Sequence, residues 1–171
     1  MDISTICVAF FVLGTAVDLG GTLIPSFRQH VMNYGSRGIT PKTPKDTSIG
    51  TKPTSILEYI GSIQVPHTWF THYYIVSVAS SIFWAFQIIT RGTAFSFFAS
   101  YSHQDITHSM TANQVFLAWA FMALQGSRRL YESFTLTKPS HSKMWVGLWA
   151  VGIAYYIFMG ISVWIEGIGE W

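Results

Sequence analysis

Cysteine and charged side chains are scarce in this sequence, and each shortage excludes a class of protein. The 171 residues contain one cysteine, Cys7, so no disulfide can form within the chain and no cysteine-rich metal site can be assembled. Only 11% of the residues are charged whereas 50% are hydrophobic, a balance that is typical of membrane proteins rather than of soluble domains. We therefore expect a protein that is surrounded mainly by lipid.

Several catalytic and binding signatures are missing as well. The sequence has no glycine-rich phosphate loop, no HExxH motif and no nucleophile elbow, and its basic residues lack the pattern of a nucleic-acid surface. The residues alone therefore predict no metal site and no nucleic-acid partner, and they leave the chemistry open.

What the sequence does contain is four long apolar segments. They are residues 3–24, 68–89, 106–127 and 144–165, each about long enough to cross roughly 30 Å of hydrocarbon as a helix. The first segment lacks the basic leader of a secretory signal peptide, so we interpret it as a retained span. The pattern predicts an all-α membrane protein with about four transmembrane helices, in a single domain of residues 1–171.

The loops between these segments differ in charge. The basic residues of the first loop are Arg28, Arg37, Lys42, Lys45 and Lys52, and those of the third are Arg128, Arg129, Lys138 and Lys143. Because cytosolic loops are enriched in Lys and Arg, we place loops one and three in the cytosol and, with four spans, both termini in the lumen. Residues 36–55, rich in Thr, Pro, Lys, Ser and Gly, predict a flexible cytosolic connection.

Two polar residues within the apolar segments have open interpretations. His72 lies about one turn into the second segment, where it is either a proton or hydrogen-bond donor to a substrate or an interfacial histidine bonded to a neighbouring helix. Asp18 is either a buried partner for a cation or a mark of where the first helix approaches the interface.

Two adjacent arginines follow the third segment. Arg128 and Arg129 can be plain positive-inside anchors, or they can hold a phosphate with their planar guanidinium groups. On a helix that continues past the bilayer, Arg128 and Glu132 are one turn apart and can pair, which leaves Arg129 freer to meet a ligand.

Four blocks carry a resemblance to a known family. The blocks "VPHTWFTHYYIVSV" (residues 65–78) and "LQGSRRLYE" (124–132) resemble the polyprenal reductase branch of the steroid 5-alpha-reductase family, its fungal members most closely. The blocks "MNYGSRG" (32–38) and "KMWVGLWAVGIAYYIFMGISVWIEG" (143–167) are similar to the same branch, in the same order.

The resemblance implies a multi-pass enzyme of the endoplasmic-reticulum membrane that uses NADPH to reduce a polyprenyl or related terpenoid lipid, on the route to dolichol. It implies that Arg128 and Arg129 hold cofactor phosphates, and that Tyr131 and Glu132 order the cofactor pocket. His72 and Tyr73 are then expected to polarise the carbonyl, since a hydride acceptor develops negative charge that a donor can stabilise.

Members of that family continue well beyond the fourth segment, so we expect this chain to lack the half that carries most of the nicotinamide-binding residues. The alternative is a non-catalytic, truncated membrane protein, or a partner module of a full-length reductase. Gly147, Gly152 and Gly160 leave room for close helix contacts, including those of a homo-oligomer.

Overall fold

The computed structural model of the protein describes residues 3–23, 63–100, 110–136, 141–165 and 167. Its elements in chain order are α1 (Ile3–Leu23), β1 (Gln64–Pro66), α2 (Phe70–Thr90), α3 (Thr93–Ser100), α4 (Ala112–Thr135), β2 (Lys143–Trp145) and α5 (Val146–Ile165). One turn of 3-10 helix, His67–Trp69, joins β1 to α2. The connection predicted for residues 36–55 lies outside the described residues.

Three helices in the described part of the chain are long and apolar enough to cross a membrane. These candidate spans are Ile3–Gly21, His67–Thr90 and Val146–Ile165, at the places of the first, second and fourth predicted segments. Large apolar side chains on all three remain exposed, including Leu13, Ile82 and Val151. An apolar surface of this extent requires lipid rather than water around it, so the protein is a mainly helical, multi-pass membrane protein.

The third predicted segment, residues 106–127, is occupied by α4 with different limits. The helix begins at Ala112, after a capping box in which the side chain of Thr111 accepts from the Gln114 backbone N–H and Gln114 returns the bond. It then continues to Thr135, beyond the predicted end. Residues 106–109 lie outside the described residues.

The composition of α4 sets it apart from the three apolar spans. Because it includes Gln125, Arg128, Arg129 and Glu132, it is not among the described helices that qualify by hydropathy. The described residues therefore contain three such spans where the sequence predicts four. The fourth crossing and the side of the membrane on which each loop lies stay predictions.

A short antiparallel ribbon, which the sequence analysis does not predict, joins two of the helices at their starts. Val65 of β1 lies opposite Met144 of β2, and the backbone N–H of His67 donates to the Ser142 carbonyl oxygen at 3.0 Å. Since each strand leads directly into a helix, α2 and α5 begin at the same end of the bundle, which we call the ribbon end. Strands of three residues are too short to produce an alternating pattern that sequence reading can detect.

Helix α2 is central and packs along both α4 and α5. Glycines allow these approaches: a Cβ atom at Gly126 of α4 would lie 2.6 Å from Ser77 Oγ, and one at Gly152 of α5 would lie 2.6 Å from the Tyr73 ring. The close contacts expected of Gly152 are thus made within one chain. Helix α1 packs on the other side of α5, where Phe10 stacks on Phe158 with ring centroids 4.3 Å apart.

The end of the bundle opposite the ribbon is closed by large side chains. Trp84 of α2, Val115 of α4 and Trp164 of α5 form a buried cluster there, and Phe116 of α4 meets Trp164 edge-on at 6.0 Å. Helices α4 and α5 contact each other at this end and make few other contacts along their length. They therefore leave a gap towards the ribbon end, with α2 behind it.

Candidate functional site

The gap between α4 and α5 is a groove with a volume of about 390 Å³, in the range of small-ligand pockets. Its floor is formed by α2 and its walls by α4 and α5. We call it the groove; its lining residues are Tyr74, Ser77, Phe121, Met122, Gln125, Gly126, Arg129, Tyr155, Tyr156 and Met159. The lining thus combines a cation, hydroxyls and an amide with aromatic and thioether side chains.

Arg129 is the cation of the groove, and its position is set by an ion cluster on α4. Arg128 Nε donates to Glu132 Oε1 at 2.8 Å, and Arg129 Nη1 donates to Glu132 Oε2 at 3.2 Å. The pair Arg128–Glu132 expected from the one-turn spacing is present. Arg129 also donates to this carboxylate, through one longer bond. It is therefore less free than the one-turn spacing of Arg128 and Glu132 alone predicts.

Both arginines retain capacity to bind an anion. The side chains of Arg128 and Arg129 are 70% and 52% exposed, whereas that of Glu132 is 25% exposed. A guanidinium carries five N–H donors, and within the described residues each arginine gives one of them to Glu132. The donor set therefore fits a phosphate, and only Arg129 combines that capacity with a place in the groove.

The ion cluster shifts the pKa values of Glu132 and Arg129. The hydrogen bond from Arg128, followed by that from Arg129, lowers the pKa of Glu132 from its ordinary value of 4.5. The hydrogen bond to Glu132 raises the pKa of Arg129, and the nearby phenol of Tyr74 is the next largest cause. The Glu132 carboxylate and the Arg129 guanidinium are therefore charged throughout the physiological pH range.

Two tyrosines that the sequence analysis does not single out lie beside Arg129. Tyr74 of α2 and Tyr156 of α5 line the groove, and their rings meet edge-on with centroids 6.5 Å apart. Both phenols are near enough to influence the Arg129 guanidinium. Helical spacing alone does not distinguish Tyr74 from Tyr73, because the two lie three and four residues from Ser77 and both neighbour it on α2.

Tyr73 is buried behind the groove rather than lining it. Its hydroxyl donates to the Leu148 carbonyl oxygen at 3.3 Å and lies 3.8 Å from the Met144 sulfur. Its ring stacks against Tyr156 with centroids 6.3 Å apart. In this arrangement Tyr73 supports Tyr156 from behind and connects α2 to the first turn of α5.

His72 also lies outside the groove lining. It is half-buried at the ribbon end, where its ring contacts Trp69 and Trp149 at centroid distances of 5.3 and 6.1 Å. Of the two interpretations of His72, these contacts are those of a histidine packed against a neighbouring helix. The part in polarising a carbonyl that the sequence predicts for His72 and Tyr73 stays a prediction.

The remaining predicted residues are distributed along the surface. Tyr131 is 67% exposed on α4 and does not line the groove. Asp18 is exposed on α1, and both ion pairs found among the described residues involve Glu132. The described residues contain no cluster of His, Cys, Asp or Glu that could hold a metal ion.

Comparison with known proteins gives a partial match. The chain is similar to a polyprenal reductase of Caenorhabditis elegans, with 31% identity over 123 residues that cover 64% of this chain. The match covers 38% of the length of that relative. No family model matches the chain, and no solved structure matches it significantly.

Proposed function

We propose that this protein takes part in the NADPH-dependent reduction of a polyprenal or related terpenoid enal in the endoplasmic-reticulum membrane, on the route to dolichol. The observation that carries the proposal is the groove, whose lining combines the cation Arg129, hydroxyls and an amide with aromatic and thioether side chains. The similarity to a polyprenal reductase supports the substrate class.

The polar end of the groove suits the carbonyl of an enal. When bound, NADPH supplies a hydride to the conjugated system, and negative charge develops on the carbonyl oxygen. We infer that the hydroxyls of Tyr74 and Tyr156 and the guanidinium of Arg129 are the donors nearest that oxygen. Donors aimed at developing charge stabilise the transition state more than the ground state.

The groove is a small site for a dinucleotide and a lipid together. Its volume of about 390 Å³ lies at the low end of the range for small-ligand pockets. The exposed guanidinium groups of Arg128 and Arg129 lie on the outer side of the ion cluster. We propose that they bind cofactor phosphates there, while the groove receives the head of the lipid.

The test compares two arginines that share one carboxylate but differ in their access to the groove. We expect the purified protein in nanodiscs to bind a photoreactive farnesal analogue, and Arg129→Ala to weaken binding about tenfold or more, because a hydrogen bond to a charged donor contributes about 1.5–3 kcal/mol. Arg128→Ala, which removes the other contact to Glu132, is expected to stay within about twofold of the unmodified protein.

NADPH oxidation with farnesal, with the product identified by mass spectrometry, is the second readout. Binding together with turnover supports the reductase. Binding without turnover, under conditions in which a full-length polyprenal reductase is active, supports the non-catalytic module in its place. Absence of binding by folded protein, or equal loss of binding in both arginine variants, would contradict the assignment of the groove.

A further inference from the structure

We propose that the groove encloses only the first two or three isoprene units of the lipid and that the rest of the chain leaves sideways into the bilayer between α4 and α5. This inference rests on the proposed function, because it assumes that the occupant is a polyprenyl lipid. It adds a specificity rule: recognition depends on the head of the lipid and not on its total length.

The length of the groove limits what is enclosed. Arg129 and Phe121, which line it on α4, lie about 12 Å apart along the helix axis. An isoprene unit adds four chain bonds, roughly 5 Å when extended, so the groove spans between two and three units. Every further unit of a long polyprenyl chain must lie outside.

The polarity of the lining orients that head. Arg129 is eight residues from Phe121 on α4, which corresponds to about 12 Å along the helix axis. The cation therefore marks one end of the groove, and Phe121, Met122 and Met159 supply an apolar stretch away from it. An aldehyde at Arg129 places the isoprene carbons against the thioether and aromatic side chains, since the reverse orientation would leave the guanidinium facing hydrocarbon.

The route out of the groove is lateral. The end opposite the ribbon is closed, because Trp164 of α5 meets Phe116 and Trp119 of α4 there. Between the two helices, Phe121 and Tyr155 line the groove while remaining 63% and 43% exposed, so they stand at its rim on the outer surface.

The outer surface beyond that rim is apolar on α4. Leu117 and Leu124 are 58% and 68% exposed there, on a face where the protein requires lipid around it. A chain that passes between Phe121 and Tyr155 thus enters the hydrocarbon of the bilayer directly.

The experiment measures binding of geranial, farnesal, geranylgeranial and a long-chain polyprenal to the protein in nanodiscs, by competition with the photoreactive farnesal analogue. Concentrations are expressed as mole fraction in the lipid, because longer chains partition more strongly into the bilayer. We expect affinity on this scale to rise from geranial to farnesal through packing contacts with the groove lining, and then to stay constant within about twofold up to the long-chain polyprenal. A continued rise beyond geranylgeranial would overturn the inference, since it would require a longer enclosed tunnel.

A matched pair of variants tests the same inference from the side of the protein. Met122→Trp fills the apolar part of the groove and is expected to remove the gain from geranial to farnesal while geranial still binds. Ile82→Trp introduces the same side chain on α2 at a position that is 65% exposed and does not line the groove, and is expected to leave the series unchanged. If both variants bind the whole series as the unmodified protein does, the groove does not hold the isoprene units.

The two proposals fail differently. If no enal of any length binds to folded protein, the proposed function is wrong and the chain-length prediction cannot apply. If all enals bind and affinity increases steadily with chain length, the proposed function stands and the prediction that only the head of the lipid is recognised is wrong.

Discussion

At the scale of single residues, a shared carboxylate makes Arg129 different from its neighbour Arg128. Both guanidinium groups donate to Glu132, but the Arg128 bond is shorter, at 2.8 Å against 3.2 Å. A ligand phosphate or carbonyl therefore competes with Glu132 more easily for Arg129. Glu132 restrains Arg129 beside the groove without consuming all of its donors.

The pKa of Glu132 predicts how this cluster responds to acid. The pKa of Glu132 is lowered in the folded protein, so its ionised carboxylate stabilises the fold. This contribution to the free energy of unfolding is complete above the ordinary pKa of 4.5 and is lost as the pH falls through the lower pKa of the folded state. We expect Glu132→Gln to lower the melting temperature slightly at neutral pH, and the difference from the unmodified protein to shrink as the pH falls below 4.5.

Thermal unfolding in detergent at several pH values measures this difference. Asp18→Asn, which changes an exposed carboxylate on α1, is the matched control and is expected to show no such pattern. If the difference in melting temperature between Glu132→Gln and the unmodified protein is the same in acid as at neutral pH, the destabilisation is due to packing rather than to charge.

At the scale of helices, glycine determines how closely α5 approaches α2. A Cβ atom at Gly152 would lie 2.6 Å from two ring carbons of Tyr73, closer than such atoms approach each other, and Tyr73 is buried. Since the Tyr73 ring stacks against Tyr156, a shift of that ring would also move a wall of the groove. Helix packing and the shape of the site are thus coupled through one tyrosine.

Gly152→Ala tests that coupling against Gly14→Ala. Nothing lies within 4 Å of a Cβ at Gly14 of α1, so that variant gains helix propensity without a clash. Forced overpacking costs about 1–3 kcal/mol, and we expect Gly152→Ala to be less stable than Gly14→Ala by about that amount. Denaturant unfolding in mixed micelles measures both, and equal stabilities would show that the Tyr73 ring moves freely.

Helix α4 shows what could and could not be predicted at this scale. The capping residues Thr111 and Gln114 are visible in the sequence, yet hydropathy alone placed the start of the segment earlier and its end before Arg128. A window of apolar residues measures where lipid is tolerated, whereas a helix ends where its backbone hydrogen bonds end. The pairing of Arg128 with Glu132 was predictable because it depends only on helical spacing.

At the scale of the whole molecule, the ribbon fixes which chain segments share an end. The strands β1 and β2 precede α2 and α5, so the last residues of loops one and three meet in space. This agrees with a single basic side, which is what the positive-inside pattern predicts. Thr93 follows the other end of α2, and the length of that helix places it about 30 Å from the ribbon.

Cysteine labelling tests on which side the ribbon lies. In a Cys7→Ala background, we expect Lys143→Cys to react with a membrane-impermeant maleimide in sealed endoplasmic-reticulum vesicles whose cytosolic face is outward. Thr93→Cys is expected to react only after detergent is added. Both residues are exposed in the structure, so a difference reports the membrane rather than burial. Equal labelling of the two positions in sealed vesicles would mean that α2 does not cross the bilayer.

The sequence by itself determined that the protein belongs in a membrane, that its basic residues are concentrated at two loops, and that Arg128 and Glu132 can pair. These features depend on composition and on spacing along one helix, which a sequence displays directly. Only the tertiary structure decided that Tyr74 and Tyr156 line the groove while Tyr73 supports it from behind and His72 packs against tryptophans. Neighbouring residues on a helix point about 100° apart, and which of them meets the groove is set by glycine contacts between helices that are distant in the chain.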